Sequence, residues 1–274
     1  PSIFVREHEG LNRGRHLRRL AFAVFSGAVD QYIRSLPVIK ERVVDALKLP
    51  NTPLLQCQAF LCLRVLFTRF SPANLLSFLP VVLTELLSAI NIKLPPPPPM
   101  SQLYAEVFLG ACKLVDTILL LADSNFAIHQ WLFVSEQNRP RIGLFQPVFE
   151  RIAAIPDAAD SPGSAAYVSP RRSQAQAAAL GRPLITARSL SDAGALQQLR
   201  QLLAKYSDAV RDAQVQSLPP DMDAISQGIL DDFTFVASLS PGWVIVPSPA
   251  TPASTSGLPA PPASSSSPTA SSSP

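Results

Sequence analysis

Histidine and cysteine are almost missing from this sequence, and that limits its chemistry first. There are three of each. His8, His16 and His129 do not sit at metal-ligand spacing with one another or with a cysteine, and Cys57-x4-Cys62 has no second ligand pair. Cys57, Cys62 and Cys112 lie inside apolar helical patterns and are odd in number. They read as buried thiols in a reducing compartment, with no metal and no disulfide framework. Glycine is low at 11 residues. No Gly-rich phosphate loop, nucleophile elbow or HExxH appears. Asp231 and Asp232 are adjacent, so on a helix they do not face each other as an acid–base pair would. The expectation is no catalytic residue and no cofactor; only a polar cleft joining His129 and Asp116 would reopen a hydrolase.

Other absences narrow the setting. No Asn-x-Ser/Thr sequon is present. Net charge is +3 with a pI near 9.0, without the clustered Lys and Arg of a nucleic-acid footprint. Pro1 to Gly10 has mixed charge and no apolar run, so it is not a signal peptide. The apolar stretch Leu75 to Ile90 is interrupted by Pro80 and Glu85. That from Leu103 to Ala122 holds Glu106, Lys113 and Asp116. Neither suits a spanning helix. Because the chain opens on Pro1, a fragment of a longer protein is expected.

What is abundant is apolar residues and proline. Hydrophobic residues are 47% of the 274, mean hydropathy is +0.20, and 28 prolines divide the chain into blocks. Helical spacing predicts a first helix from about Asn12 to Leu36, ended by Pro37, and a second over Val38 to Leu49. Asn51-Thr52-Pro53 and Ser71-Pro72 are helix starts, a capping residue before a first-turn proline. They open helices to about Phe70 and to about Ile92, the latter kinked at Pro80. Pro95 to Pro99 is a polyproline spacer. Helices follow over Ser101 to Ala122, Asn125 to Val134 and Val148 to Ile155.

From Pro156 to about Arg182 the composition turns to Ala, Ser, Pro, Gln and Arg, as expected of a disordered linker. Helices are then predicted from Ser191 to about Ala213 and from Asp221 to Phe235. The residues from Pro247 onward are Ser, Pro, Ala and Thr with few exceptions, a tail of the same disordered kind. Only Trp243 to Val246 alternates weakly, so no strand is expected. The chain is read as an all-α stack of antiparallel helices, HEAT-like or irregular. Its main helical domain spans 1–155, a linker 156–190, C-terminal helices with a docking strap 191–246 and the tail 247–274.

Three features could bind. Arg13, Arg15, Arg18 and Arg19 crowd the first helix and could meet phosphoinositide or other anionic headgroups. A solvated helix start is the preferred reading, because the cluster is small and positive charge at a helix N-terminus is unfavourable. Leu196, Leu199, Leu203, Tyr206 and Val210, continued by Ala213, step by threes and fours as a heptad seam. That seam could pair with a second copy or pack back on the chain, and the spacing does not choose. Asp232-Phe233-Thr234-Phe235 and Trp243 could dock elsewhere or close the domain as a strap; the strap is preferred, since buried aromatics hold a segment down.

The run from Ala28 to Leu49, Ala-Val-Asp-Gln-Tyr-Ile-Arg-Ser-Leu-Pro-Val-Ile-Lys-Glu-Arg-Val-Val-Asp-Ala-Leu-Lys-Leu, resembles the C-terminal region of the Dopey family. So do Phe60-Leu61-Cys62-Leu63-Arg64-Val65-Leu66-Phe67-Thr68-Arg69-Phe70-Ser71-Pro72 with Leu79 to Leu86, and Ala111 to Asp116 with His129 to Phe133. Arg182-Pro183-Leu184-Ile185 and the helix after Ser191 match more weakly. The resemblance implies a very large, mostly helical, non-catalytic cytosolic scaffold. It would sit peripherally on Golgi, trans-Golgi network and endosome membranes and act in endosome-to-Golgi transport. Implied partners are a large scaffold related to Arf exchange factors and an aminophospholipid flippase, with zipper-like self-association of the C-terminal part. The Pro95 to Pro99 run, the linker and the tail depart from the family pattern, and no functional residue carries over as a site.

Overall fold

The computed structural model describes residues 3–49, 52–92, 102–121, 124–134, 145–154, 181–190, 193–210 and 219–234. All of them fall in one compact unit, Pro1–Val244, and none in the second, Ile245–Pro274. Every regular element among the described residues is helical. In order they are α1 (Ile3–Ser26), α2 (Leu36–Lys48), α3 (Pro53–Arg69), α4 (Pro72–Leu75), α5 (Leu79–Ile92), α6 (Gln102–Leu121), α7 (Ser124–Ala127), α8 (Val148–Ala153), α9 (Ala193–Ala204) and α10 (Met222–Thr234). Tight 3-10 turns occupy Ile33–Ser35 and Gln130–Leu132. The expected all-α stack is the architecture observed.

Helix α3 is its centre. Helices α1, α2, α6 and α10 all pack on it, and α5 packs on α2 and α6. The sequence explains why. Leu55, Ala59, Phe60, Leu63, Val65 and Leu66 point to every side of α3 and are buried, as befits a helix apolar around its circumference. Helix α6 is built alike, with Val107, Phe108, Ala111, Leu114, Val115 and Ile118 buried. No described helix is long and apolar enough to cross a membrane.

Several boundaries differ from the expected ones, each for a local reason. Helix α1 begins at Ile3 and stops at Ser26, well before Leu36. At Gly27 a Cβ would lie 2.6 Å from the Tyr32 ring, so a larger residue there would have to push the Tyr32 and Gln31 side chains aside. Asp30 then takes a left-handed φ of 59°, which Asp tolerates. Pro37 falls in the first turn of α2, where its missing N–H costs nothing, and so starts a helix instead of ending one. Pro80 likewise lies in the first turn of α5, not at a kink. Continuous helix there would drive its ring into the Leu76 carbonyl, so the chain turns at Leu76–Phe78 and α4 stays separate.

The two capping sites work in unexpected ways. The Thr52 hydroxyl donates backward to the Leu49 carbonyl at 3.0 Å instead of capping α3. At Ser71 the cap comes from another part of the chain. Asp30 accepts from the Ser71 N–H at 2.9 Å, from the Ser71 hydroxyl and from Asn74 Nδ2 at 3.0 Å. Its own N–H donates to the Arg69 carbonyl at 2.9 Å. The loop after α1 is thereby pinned to the α3–α4 corner, and these hydrogen bonds, led by the Ser71 hydroxyl, hold the Asp30 carboxyl below its ordinary value.

The helix expected over Asn125 to Val134 is instead α7 followed by a 3-10 turn, with His129 N–H donating to the Phe126 carbonyl at 2.8 Å. This fold-back stacks the buried Phe126 and Phe133 rings, centroids 6.0 Å apart. Helix α9 ends at Ala204, the chain turns at Lys205, and residues 206–210 are helical again. The Pro95 to Pro99 run, most of the expected linker, the tail, Phe235 and Trp243 lie outside the described residues.

Candidate functional site

Two apolar helices each carry a cation where the pattern calls for a core residue. Arg64 sits on α3 and Lys113 on α6, both buried. Burying a lone charge is prohibitively costly, so each needs a partner. One carboxylate serves both. Lys113 Nζ lies 2.5 Å from one oxygen of Asp232 on α10, and Arg64 pairs with the other oxygen. Arg64 Nε also donates to the Thr117 hydroxyl at 3.1 Å, and that hydroxyl donates to the Lys113 carbonyl at 2.8 Å. Burial works to raise Asp232, but Arg64 and Lys113 outweigh it and hold its carboxyl below the ordinary 3.8. Lys113 is lowered, chiefly by burial, with Asp232 opposing.

Arg18 joins from α1. It is only 3% exposed. It donates to Gln58 Oε1 at 2.9 Å and to the backbone carbonyls of Asp232 and Phe233 at 3.0 and 2.6 Å. A cation thus closes the carbonyl end of α10, where the helix dipole is negative. Burial pulls Arg18 down to about 10, opposed by Asp232. Beside it, the fully buried Phe233 ring meets Phe22 edge-on at 5.3 Å and Phe25 at 5.8 Å, with the Arg18 guanidinium 5.5 Å above it. Burying one such ring stabilises by about 2–3 kcal/mol. Three cations from three helices therefore converge on one end of α10.

A second buried carboxylate lies further along α6. Asp116 accepts from the Ile185 N–H at 2.9 Å and from the Tyr206 hydroxyl at 2.5 Å. Burial raises its carboxyl above the ordinary value, against the pull of Tyr206. Burial likewise pushes the Tyr206 phenol well up. The Tyr206 ring meets Phe149 edge-on at 4.8 Å. Ser189 donates to Glu106 at 2.6 Å. Together these contacts hold 181–190 and 206–210 against α6 and α8. These polar contacts join α1, α3, α6 and α10 to one another and tie the 181–190 segment to α6.

The surface has an apolar counterpart. A cavity of about 180 Å³ lies among α3, α4, α5 and α6, lined by Phe67, Leu75, Leu79, Ile118 and Phe126 among others. Leu76 on its wall, and Ile128 just past Phe126, are exposed. The Trp131 and Phe145 rings, both exposed, touch at 4.9 Å.

The four N-terminal arginines do not share a face. Arg13 is exposed and paired with Glu9 at 2.5 Å, Arg15 is half-buried, Arg19 is exposed, and Arg18 is turned inward to α10. Of the heptad seam, Leu199, Leu203, Tyr206 and Val210 are buried within the chain and Leu196 is half-buried, with α9 packed on α8. Asp232 and Phe233 both face the core; Asp231 instead reaches the exposed Arg188 at 3.4 Å. Asp116 is enclosed at 1% exposure, and among the described residues no three His, Cys, Asp or Glu are placed to hold a metal. The Arg64–Lys113–Asp232 cluster was not singled out from the sequence. The available signal was a charge at a core position of an apolar helix, which demands a partner.

Comparison with known proteins finds relatives of this chain. Protein pad-1 of Caenorhabditis elegans is 32% identical over 160 residues, covering 54% of this chain and 7% of that protein. Protein DOP1B of Mus musculus is 34% identical over 150 residues, covering 44% of this chain and 6% of that protein. Protein DOP1 homolog of Drosophila melanogaster is 26% identical over 198 residues, covering 57% of this chain and 8% of that protein. The chain thus spans only a small fraction of each relative's length. No solved structure matches. The profile of the DOP1 C-terminal family matches residues 2–208. This chain therefore belongs to the DOP1 C-terminal family, as its Dopey-like strings led one to expect.

Proposed function

We propose that this chain is the C-terminal binding part of a non-catalytic scaffold for vesicle-mediated protein transport between endosomes and the Golgi. It works by surface contact with other proteins, and makes or breaks no covalent bond. The observation that carries the reading is the family match over residues 2–208. The polar groups of its interior are consistent with that role, because they are spent on holding helices together. The partners we propose are the large scaffold related to Arf exchange factors and the aminophospholipid flippase, met on the cytosolic side of trans-Golgi network and endosome membranes.

Tethering the chain to the mitochondrial surface in cells tests this. The expected result is that one of the two partners follows it there. If both keep their ordinary distribution while the chain is displaced, the scaffold reading fails.

A further inference from the structure

Helix α10 sits in the stack as a ligand sits in a groove. Ile225, Ile229 and Phe233 form one apolar stripe at steps of four, all fully buried, while Asp223, Gln227 and Thr234 on the other side are exposed. This is the pattern of an amphipathic helix laid into a cleft. The cleft supplies the complementary charge. Arg18 from α1, Arg64 from α3 and Lys113 from α6 meet Asp232 and the carbonyl end of the same helix. All three cations lie inside the family match of residues 2–208, whereas α10 begins after it.

We infer that the groove between α1, α3 and α6 is a receptor for an acidic-aromatic helix, filled in cis by α10 and open in trans to a partner helix of the same chemistry. The partner presents an Asp-Phe pair at its C-terminal end, with apolar residues four and eight positions before the aromatic. The cis helix is attached to the same chain, so it competes at a high effective concentration and the groove is closed at rest. When α10 leaves, the three cations return to water, which is far less costly than remaining buried and unpaired. The inference concerns the groove alone and stands apart from where in the cell the chain acts.

A fluorescein-labelled peptide of residues 219–234 tests it by fluorescence anisotropy. It is titrated against the full chain and against the full chain carrying Asp232→Lys and Phe233→Ala, which expels the cis helix. We expect at least about tenfold tighter binding to the double variant than to the wild type. A control peptide with the same two substitutions should bind neither. Equal binding to both chains, or none to a double variant that still melts cooperatively, overturns the inference. If the double variant does not fold, amide hydrogen exchange of the wild type decides. Amides of α10 exchanging about tenfold or more faster than those of α3 and α6 support a docked helix. Exchange at one common rate shows α10 to be an inseparable part of the core and overturns the inference.

Discussion

The ammonium of Lys113 on α6 lies 2.5 Å from Asp232 on α10, across 119 residues of chain. The pair is nearly enclosed: the Lys113 side chain is 8% exposed and that of Asp232 16%. Arg64 takes the other carboxylate oxygen, so one acid neutralises two cations on two helices. Such a cluster is a poor source of net stability, because desolvation consumes most of the Coulomb gain. Its value lies in specificity. Only one position of α10 leaves neither cation without its carboxylate.

Asp232 has a folded-state pKa held below its ordinary 3.8. A carboxylate of this kind contributes stability above its unfolded value and loses it as pH falls through the folded one. Wild type should therefore exceed Asp232→Asn by about 2 kcal/mol near neutrality. The gap should start to close as pH drops past 3.8 and shrink further below it. Urea titrations of both proteins at several pH values measure it. Asp116, whose folded value is raised, has the opposite sign, but it is present in both proteins and cancels.

The Tyr206 hydroxyl donates to Asp116 beside the backbone N–H groups of Ile185 and Leu184. Tyr206→Phe keeps the ring against Phe149 and removes only the hydroxyl. The buried carboxylate then loses a charge-assisted hydrogen bond, and the expected loss is about 1–3 kcal/mol by chemical denaturation. The variant should also move Asp116 further upward in a carboxyl titration.

Leu203 is 1% exposed and faces the chain's own body. Leu203→Ala should cost about 2–5 kcal/mol through the cavity it leaves. The mass by light scattering should stay that of the wild type. A halved mass at unchanged stability would instead place this residue in a zipper between two copies.

Two glycines should respond oppositely to alanine. At Gly181, with φ +65°, a Cβ would lie 2.6 Å from the Pro219 carbonyl. Gly181→Ala should destabilise by about 1–3 kcal/mol and lower the melting temperature by several degrees. At Gly228, inside α10, the nearest atom to a Cβ is Arg64 Nη2 at 3.9 Å. Gly228→Ala should stabilise by up to about 1 kcal/mol through helix propensity. Paired thermal melts check both signs.

These residues also show how far the sequence could be read. Helix existence was legible, because Leu, Val and Phe recur at helical spacing from Leu17 to Phe233. Boundaries were less so. Prolines 37 and 80 punctuate equally well as helix ends or helix starts, and only the turns at Gly27 and at Leu76–Phe78 reveal that both are starts. The cap at Ser71 was legible as a cap, yet its acceptor, Asp30, comes from another loop and leaves no local trace. The heptad of Leu199, Leu203 and Tyr206 was visible, but spacing is the same whether a seam meets a second copy or its own chain. Arg18 looked like part of a basic surface cluster, since nothing in its neighbours shows that it points toward α10. The Lys113–Asp232 pair joins residues too distant for any pattern to connect. What the sequence held was the requirement, a cation in an apolar helix, without the partner that meets it.

Direct binding tests the proposed action by protein contact most plainly. The purified chain is mixed with the purified Arf-exchange-factor-related scaffold, and separately with the flippase, in a sedimentation titration. A saturable complex with at least one of them is expected, in the micromolar range or tighter. Sedimentation of the chain unchanged by either partner well above that range would contradict it.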